Sequence, residues 1–346
     1  MRVSKRKPTL EDVAKAAGVS LSTVDRVLNG RGQVAAESER RVLEWAKKMQ
    51  IDRALDRVPR RLLRIAVLMQ RPVNPFYRDL AQGFRAAQQA YARQRVICLI
   101  SYFDSLDPRH ITRKIREIAA DVDGLAIAAV DDRDVSAALR AISDKVAVVT
   151  VHTDLPDSGR IAYVGVDNRL AGRVAAELMG RFLGSSGKIL IVTGRHNFRH
   201  HRERETGFRA VIADRFPGCT IVETLHCPDV DRPAADLIPD VLRRHPDLAG
   251  IYVISADNAD IFESLRTVGR GTAILIGHIM SDDSRHMLFD GTMDVVLDQS
   301  PQIEAFKAVE AILSHYRRLD EAGPVPTMPV SIYLRENSVS EPAGAV

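Results

Sequence analysis

Leu21, Ser22, Asp25 and Arg26 recur at spacings that bring them to one outward-facing side of a short helix. A guanidinium in that position suits a bidentate contact with guanine O6 and N7, worth about 1–3 kcal/mol of discrimination, which makes Arg26 the first candidate for base readout. Ser20, Thr23 and the backbone amides near Thr9 and Leu10 suit phosphate oxygens, contacts that set register without reading sequence. Asn29 ends the same stretch and is counted with them.

The elements that must hold these groups are readable around them. Thr9 is a good N-cap, and Asp12 three positions on makes a capping box with a shorter acid. Leu10, Val13, Ala14 and Ala17 form one apolar helical face, and Gly18 supplies the turn. Ser20 caps a second helix with Val24, Val27 and Leu28 inward, and Asn29-Gly30 stops it. A third helix, from about Glu37 to Gln50, offers Val42, Trp45, Ala46 and Met49 to the same core. The pattern is a helix-turn-helix, whose second helix lies in a major groove. A generic three-helix interaction bundle with solvated charges is the alternative, but turn glycine, cap, spacing and charge agree on DNA.

Charge is divided unevenly. Of the chain's 49 Lys+Arg and 45 Asp+Glu, residues 1–64 hold 16 and 8, leaving 33 and 37 to the remainder. A positive head on a slightly acidic body is expected where one end meets phosphate. The 346 residues suffice for two or three compact units. No apolar run reaches the ~18 residues of a membrane span, and MRVSKRKPTL has no secretory apolar stretch, so the expectation is a cytoplasmic protein with no membrane partner. Cys98, Cys219 and Cys227 form no CxxC pair and read as reduced packing thiols.

The whole run from Thr9 to Asn29, TLEDVAKAAGVSLSTVDRVLN, resembles the headpiece of the lactose-repressor (LacI-type) family without a gap. Asp25 departs from it, standing where the family commonly has Ser. An acid beside phosphates is costly unless it accepts from a cytosine amino group or pairs with an arginine. The linker departs too. Where the resemblance implies a hinge helix with a minor-groove leucine, this chain places Pro59 and Arg60. Arg57, Arg60 and Arg61 either read a narrow minor groove electrostatically or belong to a flexible basic tether.

From Leu63 onward, apolar strand-like runs alternate with amphipathic stretches. The strands fall near 65–68, 96–100, 124–128 and 146–151, then in a second series near 161–166, 188–192, 220–225, 250–254, 273–276 and 294–297. The fold expected is a small all-α helix-turn-helix head plus an α/β body of two doubly wound parallel-sheet lobes, with a ligand cleft where strand carboxyl ends converge. This body is similar to periplasmic sugar-binding proteins of type I over residues 62–335. The resemblance rests on Asn74-Pro75-Phe76, Val166-Asp167-Asn168 with Ala171-Gly172, Arg204-Glu205-Thr206-Gly207-Phe208, and Asp298-Gln299. It implies three crossings between lobes. The boundaries expected are 1–50 for the head, 51–62 for the hinge, and 63–335 for the body. The first lobe takes 63–159 and 300–322, the second 160–299 and 325–335, and 336–346 form a flexible tail.

Polyols are held by planar polar side chains and an aromatic face. Asn74 with Phe76, the Arg204 fork and the Gln299 amide meet that description, with Asp104, His152, Asp257, Asn258 and His278 at other strand ends. Asn74 is equally a turn residue, and single histidines such as His152 and His278 are more often structural. RHNFRHHRER, residues 195–204, reads mostly as a solvated helix start, Arg204 excepted. The family often shows Asp-Arg where this chain has His152-Thr153, and Asp where it has Ile279, which implies a ligand unlike a simple aldose.

Enzyme patterns are missing. Gly184-Ser185-Ser186-Gly187-Lys188 lacks phosphate-loop spacing, and there is no GxGxxG, GxSxG or HExxH. His196, His200 and His201 stand amid arginines that repel a metal ion. The function expected is a homodimeric regulator, a repressor, with no cofactor, no metal and no catalytic residues. It reads a pseudo-palindromic operator and answers a sugar- or polyol-like effector. The alternatives are a sensor whose head binds RNA or protein, and a repressor that needs its ligand as corepressor.

Overall fold

A computed structural model of the chain describes residues 8–28, 34–49, 51, 61–195, 197–226, 234–255, 261, 264–265, 267, 272–319 and 327–338. The chain divides into two compact units, one of Met1–Arg61 with Arg93–Arg95, the other of Leu62–Ala92 and Val96–Val346. The head comprises α1 (Leu10–Ala17), α2 (Leu21–Leu28) and α3 (Ala36–Lys48). Thr9 and Asp12 cap α1 reciprocally: the Asp12 amide donates to Thr9 Oγ1 at 3.3 Å and the Thr9 amide to Asp12 Oδ2 at 2.7 Å. Gly18 takes the left-handed φ of 63° that the turn requires. Val13, Ala14, Ala17, Val24, Val27, Leu28, Val42 and Ala46 fill the core.

The body opens with β1 (Leu63–Met69), α4 (Pro75–Ala90), β2 (Val96–Tyr102), α5 (Pro108–Ala119), β3 (Gly124–Ile127), α6 (Arg133–Ile142), β4 (Ala147–Val151) and β5 (Ala162–Val164). It continues with α7 (Asn168–Phe182), β6 (Ser186–Thr193), α8 (Arg199–Arg215), β7 (Gly218–His226), α9 (Ala234–Arg244), β8 (Leu248–Val253) and β9 (Ile274–His278). The last elements are α10 (Asp282–Asp290), β10 (Val295–Asp298), α11 (Pro301–His315), β11 (Ser331–Tyr333) and α12 (Arg335–Ser338).

Two sheets result. The first runs β2-β1-β3-β4-β5 and the second β11-β10-β9-β8-β6-β7. Every pairing between neighbouring strands is parallel except that of β10 with β11. Period-two alternation sorts side chains to opposite faces: Leu63, Ile65, Val67 and Met69 of β1 enter one core, Ala66 and Leu68 the other. In the second lobe Leu190 and Val192 of β6 face one core, Ile189 and Ile191 the other. Four helices start on an Asn or Asp cap, namely Asn74, Asp107, Asp132 and Asp167, so helix N-termini cluster at the strand carboxyl ends.

Two sequence expectations are corrected. The strand near 161–166 does not open the second lobe. Ala162, Tyr163 and Val164 pair with Val149, Thr150 and Val151, which makes β5 the fifth strand of the first sheet. Its short apolar run carries no mark of the sheet it joins; hydrogen bonding decides. Residues 336–338 are not tail. Asn337 Oδ1 accepts from the Leu334 amide at 2.6 Å, Arg285 donates to the Ser338 carbonyl, and Ser338 is buried.

The chain leaves the first lobe after β5, returns as α11, and goes back as β11. Ala305, Ala308, Val309 and Ile312 of α11 lie in the first-lobe core. Two side chains of the second lobe are also buried in the first: Ile279, just past β9, on one face of the sheet, and Phe198, just before α8, on the other.

Candidate functional site

In the head, Thr9, Leu10, Glu11, Leu21, Ser22 and Asp25 line one shallow hollow between α1 and the start of α2. Leu21, Ser22 and Arg26 are exposed, Thr23 and Asp25 half-buried. Ser20 Oγ accepts from the Thr23 amide at 3.2 Å and lies 2.9 Å from Ser22 Oγ and 2.8 Å from Thr23 Oγ1, so a hydroxyl network starts α2. Asn29, Arg57 and Arg60 lie outside the described residues, as do Pro59 and Cys227. Glu11, which joins the hollow, was not anticipated; it occupies the α1 position next to Leu10.

In the body, three strand ends bend into the left-handed region at residues that are not glycine: His152 at φ 66°, Ile279 at 75° and Ser300 at 56°. Such backbone costs about 1–3 kcal/mol per residue and concentrates at working sites. His152 follows β4, Ile279 follows β9 and Ser300 follows β10, where the two lobes meet.

Around them a buried polar chain connects the lobes. The Gln299 amide nitrogen lies 2.8 Å from His152 Nδ1, and its oxygen accepts from Arg204 Nη2 at 3.4 Å. An amide that donates to Nδ1 leaves the imidazole proton on Nε2. Arg204 Nε donates to Asn168 Oδ1 at 2.9 Å and Nη1 to the Ile254 carbonyl at 3.1 Å. Asn168 Nδ2 in turn reaches the His152 carbonyl at 3.3 Å and Tyr163 Oη at 3.2 Å. Rings continue the contact: Phe76 to His152 at 4.0 Å, His152 to His200 at 4.1 Å, His200 to His201 at 4.1 Å.

Glycines place Arg204. A Cβ on Gly172 of α7 would lie 1.9 Å from the Arg204 carbonyl oxygen, and one on Gly207 of α8 would lie 2.0 Å from that of Arg169. The two helices touch backbone to backbone, and the guanidinium is thereby held under the sheet ends.

Electrostatics follow from burial. Burial and the Arg204 charge hold His152 well below the usual imidazole value. Burial does the same to His200, where His152, His201 and Arg204 add to it, and to His278, where Arg204 comes first among the charges. His278 Nε2 pairs with Tyr252 Oη at 2.8 Å. Glu304 of α11 moves the opposite way: burial and then Asp298 raise its carboxyl well above the usual range, against Arg204.

The sequence candidates therefore separate. His152, Arg204 and Gln299 are brought together. Phe76 is buried beneath His152 and presents no open aromatic face. Asn74 Oδ1 accepts from the Phe76 amide at 2.8 Å as the cap of α4, the turn role. Asp104 is exposed beyond β2 and pairs with Arg71 at 2.7 Å, with His110 at 3.9 Å. Asp257 and Asn258 lie outside the described residues. The expectation of a solvated start to α8 is overturned at His200 and His201, only 4 % and 8 % exposed, because the closed lobes cover them. Periodicity assigned them to a polar face; the partner lobe, invisible to a local pattern, buries that face. Asn168, Tyr163 and Glu304 were also missed as individual residues. The Asp167-Asn168 pair at a helix start was the available sign for the first.

Among the described residues no group of three or more His, Cys, Asp or Glu is arranged to hold a metal ion, and no helix is long and apolar enough to cross a membrane. Cys98 and Cys219 are free thiols, and burial pushes Cys98 up to about 12.

Residues 65–317 match the family described as periplasmic binding protein domain, and residues 9–50 match the bacterial regulatory proteins of the lacI family. The transcriptional regulator DegA of Bacillus subtilis is 28% identical over 225 residues, 63% of this chain and 64% of that protein, just under two thirds of its length. The ribose operon repressor of Halalkalibacterium halodurans is 23% identical over 290 residues, covering 82% of this chain and 80% of the repressor. Among solved structures, a solute binding protein from Burkholderia graminis in complex with D-arabinose superposes with a TM-score of 0.73 at 25% identity, over 80% of this chain and 97% of that one. The chain thus belongs, through its body, to the periplasmic binding protein domain family, and its head carries a match to the bacterial regulatory proteins of the lacI family.

Proposed function

We propose that the protein is a homodimeric cytoplasmic repressor, without catalytic activity, whose operator affinity is set by a polyol-like effector held between the two lobes. Arg26 reads guanine, Leu21 and Ser22 lie against neighbouring base edges, and Asp25 accepts from a cytosine amino group. Ser20, Thr23 and the amides at Thr9 and Leu10 hold phosphates. A two-fold protein matches a pseudo-palindromic site.

The observation that carries the sensor half is Gln299, whose amide touches His152 of the first lobe and Arg204 of the second. That chain of contacts exists only while the lobes are closed, so a molecule that bonds to the same groups shifts the balance between open and closed arrangements. A coupling of about 1–3 kcal/mol is enough to control a head. The relatives named for ribose, and the structural neighbour holding D-arabinose, support a carbohydrate-like ligand.

Arg26→Ala tests the DNA half in gel shifts on duplexes from the protein's own promoter region. The expected result is a loss of about 1–3 kcal/mol in preference for the specific duplex, and undiminished preference would remove Arg26 as the base reader. For the sensor half, a thermal-shift screen of sugars, polyols and their phosphates is expected to give hits that Arg204→Ala no longer answers. A variant that still responds would displace the effector from this cleft.

A further inference from the structure

We infer that the effector is an anion, a polyol carrying a carboxylate or phosphate group, seated against Arg204 and His200. This rests on the reading of the cleft as the effector site, and names the charge of what enters it.

Among the described residues, the buried Arg204 guanidinium donates only to uncharged acceptors: the Asn168 and Gln299 amide oxygens and the Ile254 carbonyl. Buried charges are ordinarily paired. The two carboxyl groups that bear on it are otherwise engaged or silent. Asp298 accepts from the backbone amides of Met280 and Ser300, each at 3.0 Å. Glu304 has both oxygens buried without a hydrogen-bond partner, and burial raises its carboxyl well above the usual range, which disfavours its charged form.

His200 supplies the second, independent observation. It is 4 % exposed, its ring lies between those of His152 and His201, and its Nδ1 is buried with no hydrogen-bond partner. The charges that bear on it come from His152 after β4, His278 at the end of β9, and His201 and Arg204 on its own helix, all of them cationic when charged. Arg199 and Arg202, also on α8, are neutralised by Glu203 and Asp131. Among the described residues, the leading charges on this imidazole include no carboxylate. A bare sugar hydroxyl leaves that imbalance in place, whereas a carboxylate or phosphate supplies the missing charge and matches the guanidinium fork.

Protons decide the sign of the accompanying pH effect. Without ligand, burial and the surrounding cations disfavour the charged form of His200; beside an anion its protonated form is stabilised, so binding takes up a proton and tightens as pH falls. His152 does not take part, because the Gln299 amide donates to its Nδ1.

The test uses the full-length protein and matched probes: D-glucose with D-gluconate and D-glucose 6-phosphate, and D-galactose with D-galacturonate and D-galactose 1-phosphate. Thermal shift and calorimetry are expected to show at least one acid form binding about tenfold or more tighter than its neutral parent. Preference for the carboxylates or for the phosphates identifies the source of the charge. Calorimetry in two buffers of different ionisation heat is expected to give uptake of up to about one proton, which His200→Gln abolishes while weakening the acid form toward its neutral parent. A neutral parent that binds as tightly as its acids, or a panel in which nothing binds, overturns the inference. Anion binding without proton uptake overturns the seat at His200. Gel shifts on the same preparation keep the two readings apart: sequence-specific DNA binding that survives such a result confines the failure to the effector's charge, and its absence removes the regulator reading itself.

Discussion

The proposed DNA-reading face and the interlobe cleft are constructed in opposite ways. In the head, every group of interest that is described falls between Thr9 and Arg26, on two short helices, and is exposed or half-buried. Each side chain is placed by its own helix. In the cleft, Phe76, His152, Asn168, His200, Arg204 and Gln299 come from five separate segments and hold one another. Substitutions on the head surface should therefore act nearly independently, whereas those in the cleft should couple, because neighbours in one network are not additive.

The largest expected effect tests whether the closed lobes depend on a single ring. Phe198→Ala removes a side chain of the second lobe from the first-lobe core and is expected to cost about 3–5 kcal/mol, seen as a lower denaturation midpoint of the body. A midpoint like that of the parent would show that closure is held by polar contacts alone. Leu28→Ala opens the small core of the head at about 2–5 kcal/mol. Calorimetry should then show the head transition falling and the body transition unmoved; equal movement of both would erase the distinction between independent units.

Acid acts on the cleft specifically. His152, His200 and His278 have folded values below the unfolded one near 6.5, so the stability they confer is complete above that pH and is lost as pH falls below it. Glu304, raised in the folded state, is a burden above its ordinary value and works against this trend as pH falls. With three groups against one, the body is expected to lose roughly 1–2 kcal/mol between pH 6.5 and 5.5. Glu304→Gln should steepen the loss, and a melting temperature that rises over the same range would contradict the neutral imidazole cluster. The smallest effect belongs to the head's surface: Thr9→Ala removes one cap at about 1 kcal/mol and lowers only the head transition.

Much of the architecture could be read before any coordinates. The caps at Thr9 and Ser20 bond to amides three residues away, and the β1 alternation is a two-residue period. Arg204 stood out for the same reason, since Gly207-Phe208 beside it sets helix register. The cleft resisted because its partners are remote. His200 and His201 have the local pattern of a wet helix, Phe76 that of a stacking platform, and β5 that of any short strand.

Local propensity and periodicity act over a few residues, so the amino-acid order alone was enough to set the helices, most strands, the turn at Gly18 and the basic head. Which sheet claims β5, which lobe covers His200, and which acceptors Arg204 meets are questions of long-range packing. Their answers depend on surfaces brought together only when the chain closes on itself, where burial converts exposed polar groups into a coupled, mostly neutral network.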